Sequence, residues 1–438
     1  MFINRKISCV PDKLRTLYEK RFFHIFGSNV FSLFLSFLTS VIVVRQLDKA
    51  AYGTYAIANN IYSYFALFIG IGFINGIMQY CSEQREEKEK KAIFSFTFFT
   101  GTIVNILICA AICVSSLANI DSDTDVNKLL FAMCGIPIVS YAAEYFKSYA
   151  RIKKYNSMYS YINICGATAH FIVVIIATKY FSVYGYILST YFQHIVIVLI
   201  YLVIMKKKKN TVVSVKNNRL SAKLKTDIVK YSLLCCITNL TSTLLSLLDI
   251  TCLNRILNNA ESIASYKVAL TFPNALMFIP ASFLVFIYPY LAENNNNAVA
   301  LKKYVDKSLI FLVAANGIVC LVLFIGADIV VNLLWGNRFI DAVPVFRILI
   351  VNYFVGGTFR KLYGNVITAI RKVKINLINT ALAGILNIIL NVVLIVNFGS
   401  IGAAYATLIV TIITSGIAYF YYICWHKKQI KNKIIPEV

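Results

Sequence analysis

The chain has 438 residues, of which 59% are hydrophobic and 14% charged, and its mean hydropathy is +0.71. Soluble domains are far more polar than this, so the composition predicts an all-α polytopic membrane protein. The net charge of +24 would suggest a nucleic-acid partner in a soluble chain. Here most cations lie in short gaps between long apolar runs, where they mark topology, and we expect no nucleic acid.

The apolar runs predict twelve membrane spans, since one span needs about 20 apolar residues. Of the 43 Lys and Arg residues, 33 lie in alternate gaps, starting with the N-terminal segment, and only 6 lie in the other gaps. The positive-inside bias therefore predicts that both termini are cytoplasmic. The predicted spans are 23–44, 54–78, 93–117, 128–147, 158–178, 185–205, 230–252, 266–291, 308–332, 345–368, 375–396 and 401–425.

The gaps also predict how the chain is divided. The N-terminal segment holds six cations and no cleavable signal, so we expect the first span to be retained as an anchor. The longest gap begins with four lysines and is predicted to be a cytoplasmic linker attracted to anionic headgroups. The predicted parts are a cytoplasmic segment (1–22), an N-lobe of spans one to six (23–205), the linker (206–229), a C-lobe of spans seven to twelve (230–425) and a cytoplasmic tail (426–438).

The first span carries a polar stripe that recurs 210 residues later, in residues 238–258. Serines at every fourth position put hydroxyl groups on one helix face, while the rest of the span is apolar. The recurring polar residues are Asn29 with Asn239, Ser32 with Ser242, Ser36 with Ser246, and Arg45 with Arg255. At the position of Thr39 the second copy has Asp249. We predict that both stripes line the path of a polar substrate.

A second correspondence occurs at a shift of 217, where the sixth and twelfth spans begin. It pairs Phe181 with Phe398, Gly185 with Gly402, and Thr190 with Thr407. Two matches in the same order predict a tandem duplication. Because each half begins on the cytoplasmic side, the two six-span repeats would be parallel, related by an axis along the membrane normal.

Charged residues inside predicted spans are functional candidates, because each costs about 2.5–3.5 kcal/mol to insert. Arg360 and Lys361 lie near the middle of the tenth span and are candidates for holding a phosphate or diphosphate, with arginine able to bind it in a bidentate fork. The alternatives are an ion pair with Glu144 or Asp249, or a span boundary that leaves both cations near the headgroups.

Asp249 is the first candidate for coupling to an ion gradient, since a desolvated carboxylate can exchange a proton or bind Na⁺. The alternative is a structural partner for Arg255 or Lys267. Glu144 is a second coupling candidate. Arg45, Arg255 and Lys267 are further candidates for substrate phosphates, although Arg45 and Arg255 lie at outer helix ends, where cations also complement the helix dipole.

Several features exclude other classes of function or remain open. The sequence contains no phosphate-binding loop, no metal-ligand cluster and no nucleophile motif, so we expect neither an enzyme nor a cofactor beyond H⁺ or Na⁺. Nearly all of the eleven cysteines lie in apolar runs and are interpreted as packing residues. His170 and His194, near the centres of the fifth and sixth spans, are either packing residues or a proton relay.

The segment VVRQLDKAAYGTYAIANNI after the first span resembles the R-x-L-(G/D)-x₃-(Y/F)-G-x-Y motif of polysaccharide biosynthesis flippases, which transport O-antigen and capsule units and belong to the MOP superfamily. The resemblance extends over essentially the whole chain. It includes the segment LLWGNRFIDAVPVFRIL and, in the second half, Asp249, Ser265-Tyr266, Tyr288-Pro289, the turn at Ala369–Lys372, Asn387, Asn391 and Gly402.

This resemblance implies a V-shaped transporter of two six-helix lobes. It would flip undecaprenyl-diphosphate-linked oligosaccharide across a bacterial cytoplasmic membrane by alternating access driven by an ion gradient. The implied partners are the lipid-linked oligosaccharide, membrane lipids, a sugar polymerase and a chain-length regulator, and the chain itself would act as a monomer. The alternative is a multidrug or small-solute cation antiporter of the same superfamily. The absence of any acid in the first span argues against that alternative.

Overall fold

The computed structural model describes residues 22–83, 85–207, 220–295 and 297–434. Almost all of these residues are helical, and none of them forms a β-strand. The all-α prediction is therefore confirmed for these ranges. Of the predicted extramembrane parts, residues 1–21, residues 208–219 of the linker and the last four residues of the tail lie outside them.

Fifteen α-helices, two short 3₁₀ segments and one π-turn make up the described ranges. Asparagines cap some of the helices. Asn259 Oδ1 accepts a hydrogen bond from the backbone amide of Ser262 in the first turn of α9, and Asn297 caps the first turn of α11 in the same way. In chain order the elements are α1 (Phe22–Gln46), α2 (Lys49–Ala66), a 3₁₀ turn (Ile69–Gly72), α3 (Phe73–Tyr80), α4 (Glu87–Leu117), α5 (Thr124–Ala132), α6 (Ile136–Ile152), α7 (Asn156–Lys207), α8 (Ala222–Leu257), α9 (Ala260–Leu276), α10 (Phe278–Glu293), α11 (Ala298–Ile325), α12 (Ala327–Trp335), a 3₁₀ turn (Asn337–Ala342), α13 (Val343–Val355), the π-turn (Gly356–Arg360), α14 (Lys361–Ala369) and α15 (Val373–Ile434).

The predicted spans lie on helical segments, although those at 54–78, 128–147, 266–291 and 308–332 each cross a short break between two helices. Within the described ranges, eight helical segments are long and apolar enough to cross a membrane, or up to nine if the pair Lys49–Ala66 and Ile69–Tyr80, bent by 42°, counts as one. The chain is therefore a multi-pass membrane protein. The count of twelve crossings and the cytoplasmic termini stay predictions.

Two helices are much longer than a bilayer is thick, and each contains one break. A helix of the length of α7, 52 residues, extends about 78 Å, against about 30 Å for the hydrocarbon core. The backbone leaves the helical region at Ser182 in α7 (φ 50°, ψ −132°) and at Gly399 in α15 (φ 59°, ψ −137°). These positions are 217 residues apart, which is the shift of the second sequence match. The same break thus recurs where the sequence repeats.

The glycines that follow the two breaks have the same environment. A Cβ on Gly185 would lie 2.0 Å from the Ala177 carbonyl oxygen, and a Cβ on Gly402 would lie 2.0 Å from that of Leu394. Ala177 and Leu394 are again 217 residues apart. Because only glycine allows this close approach, the sequence match is explained by the backbone of the break.

The described residues fall into two compact units. Unit 1 comprises the described residues within 1–47 and 61–240, and unit 2 comprises those within 48–60 and 241–438. The core of unit 1 is rich in aromatic side chains from α4, α6 and α7, including Phe94, Tyr141, Tyr145, Tyr149 and Tyr201. The core of unit 2 is mostly aliphatic and comes from α10, α11, α14 and α15. The predicted lobe boundaries stay predictions.

Candidate functional site

Unit 2 contains a cavity of about 540 Å³ that is lined mostly by polar side chains and glycines. Its walls come from α8, α9, α13, the π-turn, α14 and α15. The lining residues are Ser246, Asp249, Leu270, Asn274, Met277, Asn352, Gly356, Arg360, Lys361, Gly364, Asn365, Thr368, Asn376, Thr380, Asn387, Thr407, Val410 and Thr411. A polar cavity among apolar helices is where a transported ion or headgroup can be bound.

Asp249 is the acid of this cavity, and its side chain is 5% exposed. Its Oδ2 accepts hydrogen bonds from Tyr266 Oη (2.7 Å) and Thr407 Oγ1 (2.6 Å). Its Oδ1 accepts from Asn387 Nδ2 (3.0 Å) and Asn391 Nδ2 (2.9 Å). Four neutral donors therefore stabilise the carboxylate, and no described residue acts as its counter-ion. Asn387 and Asn391 can act together because residues four apart share one face of α15.

Arg360 and Lys361 are the cations of the same cavity. The Lys361 ammonium donates to the Met277 carbonyl oxygen at 3.3 Å. The Arg360 guanidinium has no hydrogen bond or ion pair with any residue in the described ranges. A half-buried guanidinium without a partner is costly unless a ligand or water satisfies its donors, so this part of the cavity is suited to an anion.

The acidic and basic parts of the cavity lie at different heights along α15. Asn387 binds Asp249, whereas Asn376, eleven residues earlier, donates to the Gly364 carbonyl oxygen at 2.8 Å. At 1.5 Å per residue this spacing corresponds to roughly 16 Å along the helix axis. Gly364 follows Lys361 by one turn of α14. Both parts belong to the same cavity.

The predicted ion pairs for these groups do not occur in the described contacts. Glu144 pairs with Lys147 on its own helix, α6, and neither Arg255 nor Lys267 is among the four donors to Asp249. Lys267 follows Tyr266 on α9, and its ammonium has no hydrogen bond or ion pair with a described residue.

The predicted substrate-binding residues are distributed over different environments. Arg45 and Arg255 are exposed near the ends of α1 and α8. Ser36 and Asn239 are also exposed, but they lie in the interior of the same two helices. Asn29 and Ser32 bind the Asn163 amide of α7 at 3.2 and 2.9 Å, so they join two helices of unit 1. Ser246 lines the cavity of unit 2, and the side chain of Ser242 lies outside the described ones.

The donors to Asp249 are the part of the site that sequence reasoning did not assemble. In the sequence, Tyr266, Asn387 and Asn391 stand out only by resemblance to a family pattern, and Thr407 only by its place in the repeat. Two asparagines four residues apart in an apolar span were a usable signal, because amides in a membrane require partners. The carboxylate they bind could not be identified without the fold.

The profile of the polysaccharide biosynthesis protein family matches residues 19–295. This is more than half of the chain. The chain belongs to the polysaccharide biosynthesis protein family. Among curated proteins, no significant sequence match to this member is found.

Solved structures extend the comparison to the fold of this family member. A multidrug resistance MATE family transporter of the MOP superfamily, in an inward-facing conformation, superposes with a TM-score of 0.75 at 13% identity, covering 91% of this chain and 96% of that one. The lipid II flippase MurJ, in an inward closed conformation, gives 0.70 at 15% identity, covering 94% and 90%. A MOP superfamily transporter from Pyrococcus furiosus, described as having a binding pocket of reverse polarity, gives 0.60 at 13% identity, covering 93% and 95%. The protein has the fold that these transporters and this flippase share.

Proposed function

We propose that the protein is a flippase that moves undecaprenyl-diphosphate-linked oligosaccharide, an O-antigen or capsule repeat unit, across a bacterial cytoplasmic membrane. Family membership supports a role in polysaccharide synthesis, and the fold shared with a lipid II flippase supports lipid-linked cargo. The observation that carries the proposal is the guanidinium of Arg360, which has no partner among the described residues and lies beside Lys361 in the polar cavity of unit 2.

The cavity suits a diphosphate for physical reasons. A guanidinium binds two phosphate oxygens at once, and an adjacent ammonium adds a compact positive charge. The amides and hydroxyls of Asn365, Thr368, Asn376 and Thr380, which line the same cavity, can bind sugar hydroxyls or the remaining phosphate oxygens. The polyprenyl tail would stay in the bilayer, since only the headgroup needs a polar path.

Asp249 is the proposed coupling site for H⁺ or Na⁺, with Glu144 as the second candidate. Both oxygens of Asp249 are fully used as acceptors by four donors. A proton on Oδ2 would turn that atom into a donor, so the hydroxyl of Tyr266 or Thr407 would have to rotate or leave. Ion binding at Asp249 therefore changes how α9 and α15 are held to α8, which is what a coupling site must do.

A multidrug or small-solute cation antiporter is the second candidate, because the MATE transporters share the fold and Asp249 lines the cavity. The charge balance of the cavity favours the flippase. The carboxylate accepts hydrogen bonds from four donors, whereas Arg360 has no hydrogen-bond partner in the described part of the chain. A cationic drug would have to approach both Arg360 and Lys361, and like charges disfavour that.

The experiment is complementation of a strain that lacks the gene, measured by surface polysaccharide and by the leaflet in which lipid-linked repeat units accumulate. Arg360→Gln with Lys361→Gln should lower surface polysaccharide at least about tenfold, since hydrogen bonds to charged groups contribute about 1.5–3 kcal/mol each. Lys128→Gln is the matched control, because Lys128 is exposed on α5 and pairs with the exposed Asp125. Full activity of the double variant would contradict the cation assignment. Unchanged surface polysaccharide with altered drug efflux in the deletion strain would favour the antiporter.

The wider setting follows from the same proposal. A sugar polymerase and a chain-length regulator would receive the flipped unit at the outer leaflet, and the protein would act as a monomer in contact with membrane lipids. The electrochemical gradient would supply the only energy, with no cofactor.

A further inference from the structure

The helix that carries Arg360 and Lys361 is interrupted by the π-turn at Gly356–Arg360. The Lys361 amide donates to the Gly356 carbonyl oxygen, five residues back, instead of four. A π-turn accommodates one extra residue, so everything after it is rotated by about 100° relative to a continuous α-helix. Such turns are uncommon and occur mostly at functional sites.

The rotation determines which residues of this helix face the cavity. Five of the seven lining residues from α13 to α14 recur at every fourth position: Asn352, Gly356, Arg360, Gly364 and Thr368. In a continuous α-helix, the 16 residues from Asn352 to Thr368 make four full turns and a further rotation of about 160°. The two side chains would therefore point to opposite sides of the helix. The extra residue of the π-turn reduces this to about 60°. All five can then line one wall, with Arg360 at its centre.

Asn316 of α11 clamps the turn in this register. Its Nδ2 donates to Thr358 Oγ1 at 3.0 Å, and its Oδ1 accepts from Tyr353 Oη at 2.7 Å. All three side chains are fully buried. Tyr353 and Thr358 are five residues apart, which is about 140° in an α-helix but nearly the same direction across a π-turn. One amide can bind both only while the turn is present.

Packing around the two glycines of the turn completes the clamp. A Cβ on Gly357 would lie 3.1 Å from Pro280 Cγ, and one on Gly356 would lie 3.3 Å from Met277 Cε. Met277 also provides the carbonyl oxygen that holds Lys361. The turn therefore packs against the start of α10, and a Cβ on Gly357 would also lie 3.5 Å from Asn316 Nδ2.

Resting on the proposed function, we propose that Asn316 is a positioning residue for the anion site. By binding Tyr353 and Thr358 together it maintains the π-turn that aligns Arg360 with the rest of the cavity wall. Asn316 itself does not line the cavity, so it acts through Arg360 and Lys361 and makes no contact with the ligand. Without the clamp, the segment would relax toward α-helical register and turn Arg360 away from the wall.

The first test is a double-mutant cycle on the full chain in nanodiscs, with inorganic pyrophosphate as the probe and undecaprenyl diphosphate in the bilayer as the lipid form. Asn316→Leu, and the milder Tyr353→Phe, should weaken pyrophosphate binding, Asn316→Leu by at least about tenfold. In the Arg360→Gln, Lys361→Gln background, neither substitution should weaken pyrophosphate binding any further. Asn379→Leu is the matched control, a buried amide that binds the Thr414 carbonyl elsewhere on α15. Equal weakening in both backgrounds would overturn the proposal, since Asn316 would then act independently of the cations. If undecaprenyl diphosphate binds but pyrophosphate does not, the ligand is the lipid headgroup. The same double-mutant cycle would then be measured with the lipid.

The second test needs no ligand. Hydrogen–deuterium exchange of the peptide covering 352–365 should accelerate in Asn316→Leu and in Tyr353→Phe, but not in Asn379→Leu. Unchanged exchange in folded protein would overturn the proposal. If the wild-type protein binds neither diphosphate, the ligand assignment under the proposed function fails, and the exchange measurement alone decides whether Asn316 holds the turn.

Discussion

Gly53, in the motif that follows the first span, occupies a position where the Cβ of any other residue would not fit. A Cβ at this position would lie 1.9 Å from the Ala260 carbonyl oxygen, at the start of α9. Both residues belong to unit 2, although they are separated by more than 200 positions in the chain. The neighbouring Asn60 donates to Thr251 Oγ1 at 2.7 Å and ties α2 to α8 in the same unit. The glycine of the motif is thus a contact point between α2 and α9.

Ser182 occupies a backbone conformation that glycine adopts far more easily. Its φ of 50° and ψ of −132° match those of its repeat counterpart Gly399, and side-chain-bearing residues pay about 1–3 kcal/mol in such regions. We expect Ser182→Gly to raise the unfolding temperature of the purified protein and Gly399→Ser to lower it. Intrinsic tryptophan fluorescence on heating in detergent would measure both.

The control for this pair is a serine in regular helix. Ser36→Gly in α1 should lower the unfolding temperature, because glycine in a helix interior costs about 0.5–1 kcal/mol relative to alanine. If Ser182→Gly lowered the unfolding temperature as Ser36→Gly is expected to do, residue 182 would not have the described backbone conformation.

The breaks also make a prediction about how the long helices cross the membrane. If α7 turns back at Ser182, Lys154 and Lys207 lie on one side and Ser182 on the other. Alkaline phosphatase, active only outside the cytoplasm, should then be active when fused after Asn119 or Ser182 and inactive when fused after Lys154. The charge distribution supports this order, since Arg151, Lys153 and Lys154 precede α7. Activity after Lys154 and none after Ser182 would show that the topology is the inverse of the predicted one. Equal activity after both would show that α7 does not turn back at Ser182.

Helices were largely predictable from sequence, because apolar runs of about 20 residues have few alternatives in a membrane. The π-turn was not. The residues around it, Val355 to Phe359, are apolar or small and carry no signal for a change of register, and the turn depends on Asn316 in another helix. The assignment of residues 48–60 to unit 2 was equally hidden, since it results from long-range packing such as that of Gly53 on Ala260.

The candidate site was predictable in part for the same reason. Arg360, Lys361 and Asp249 stood out because charge is rare in spans, and all three line one cavity. The uncharged members, such as Asn352, Asn365 and Asn376, resemble many other polar residues in this chain and were selected only by their position in the fold. The polar stripe of α1 illustrates the converse, because Asn29 and Ser32 are used in helix packing against Asn163.

The two halves of the molecule repeat their backbone but differ in their chemistry. At the shift of 217, Asn387 of unit 2 corresponds to His170 of unit 1, and Asn391 corresponds to Val174. At the shift of 210, Asp249 corresponds to Thr39. Thr39 donates to the Leu35 carbonyl of its own helix, and the His170 ring stacks on Tyr186 with a centroid distance of 6.1 Å. Unit 1 therefore has no carboxylate at the place where unit 2 has Asp249 and its donors.

This asymmetry predicts that ion coupling depends on one unit. Asp249→Asn preserves size and most hydrogen bonding but removes the charge, so flipping should become independent of the imposed pH or Na⁺ gradient and fall at least about tenfold. His170→Asn installs the residue found at the corresponding place in unit 2 and should leave gradient dependence intact. Both variants would be compared in proteoliposomes, with the gradient collapsed by an ionophore as reference. Gradient dependence that survives in Asp249→Asn but is lost in His170→Asn would place the coupling site in unit 1, at the histidine that the repeat substitutes for Asn387.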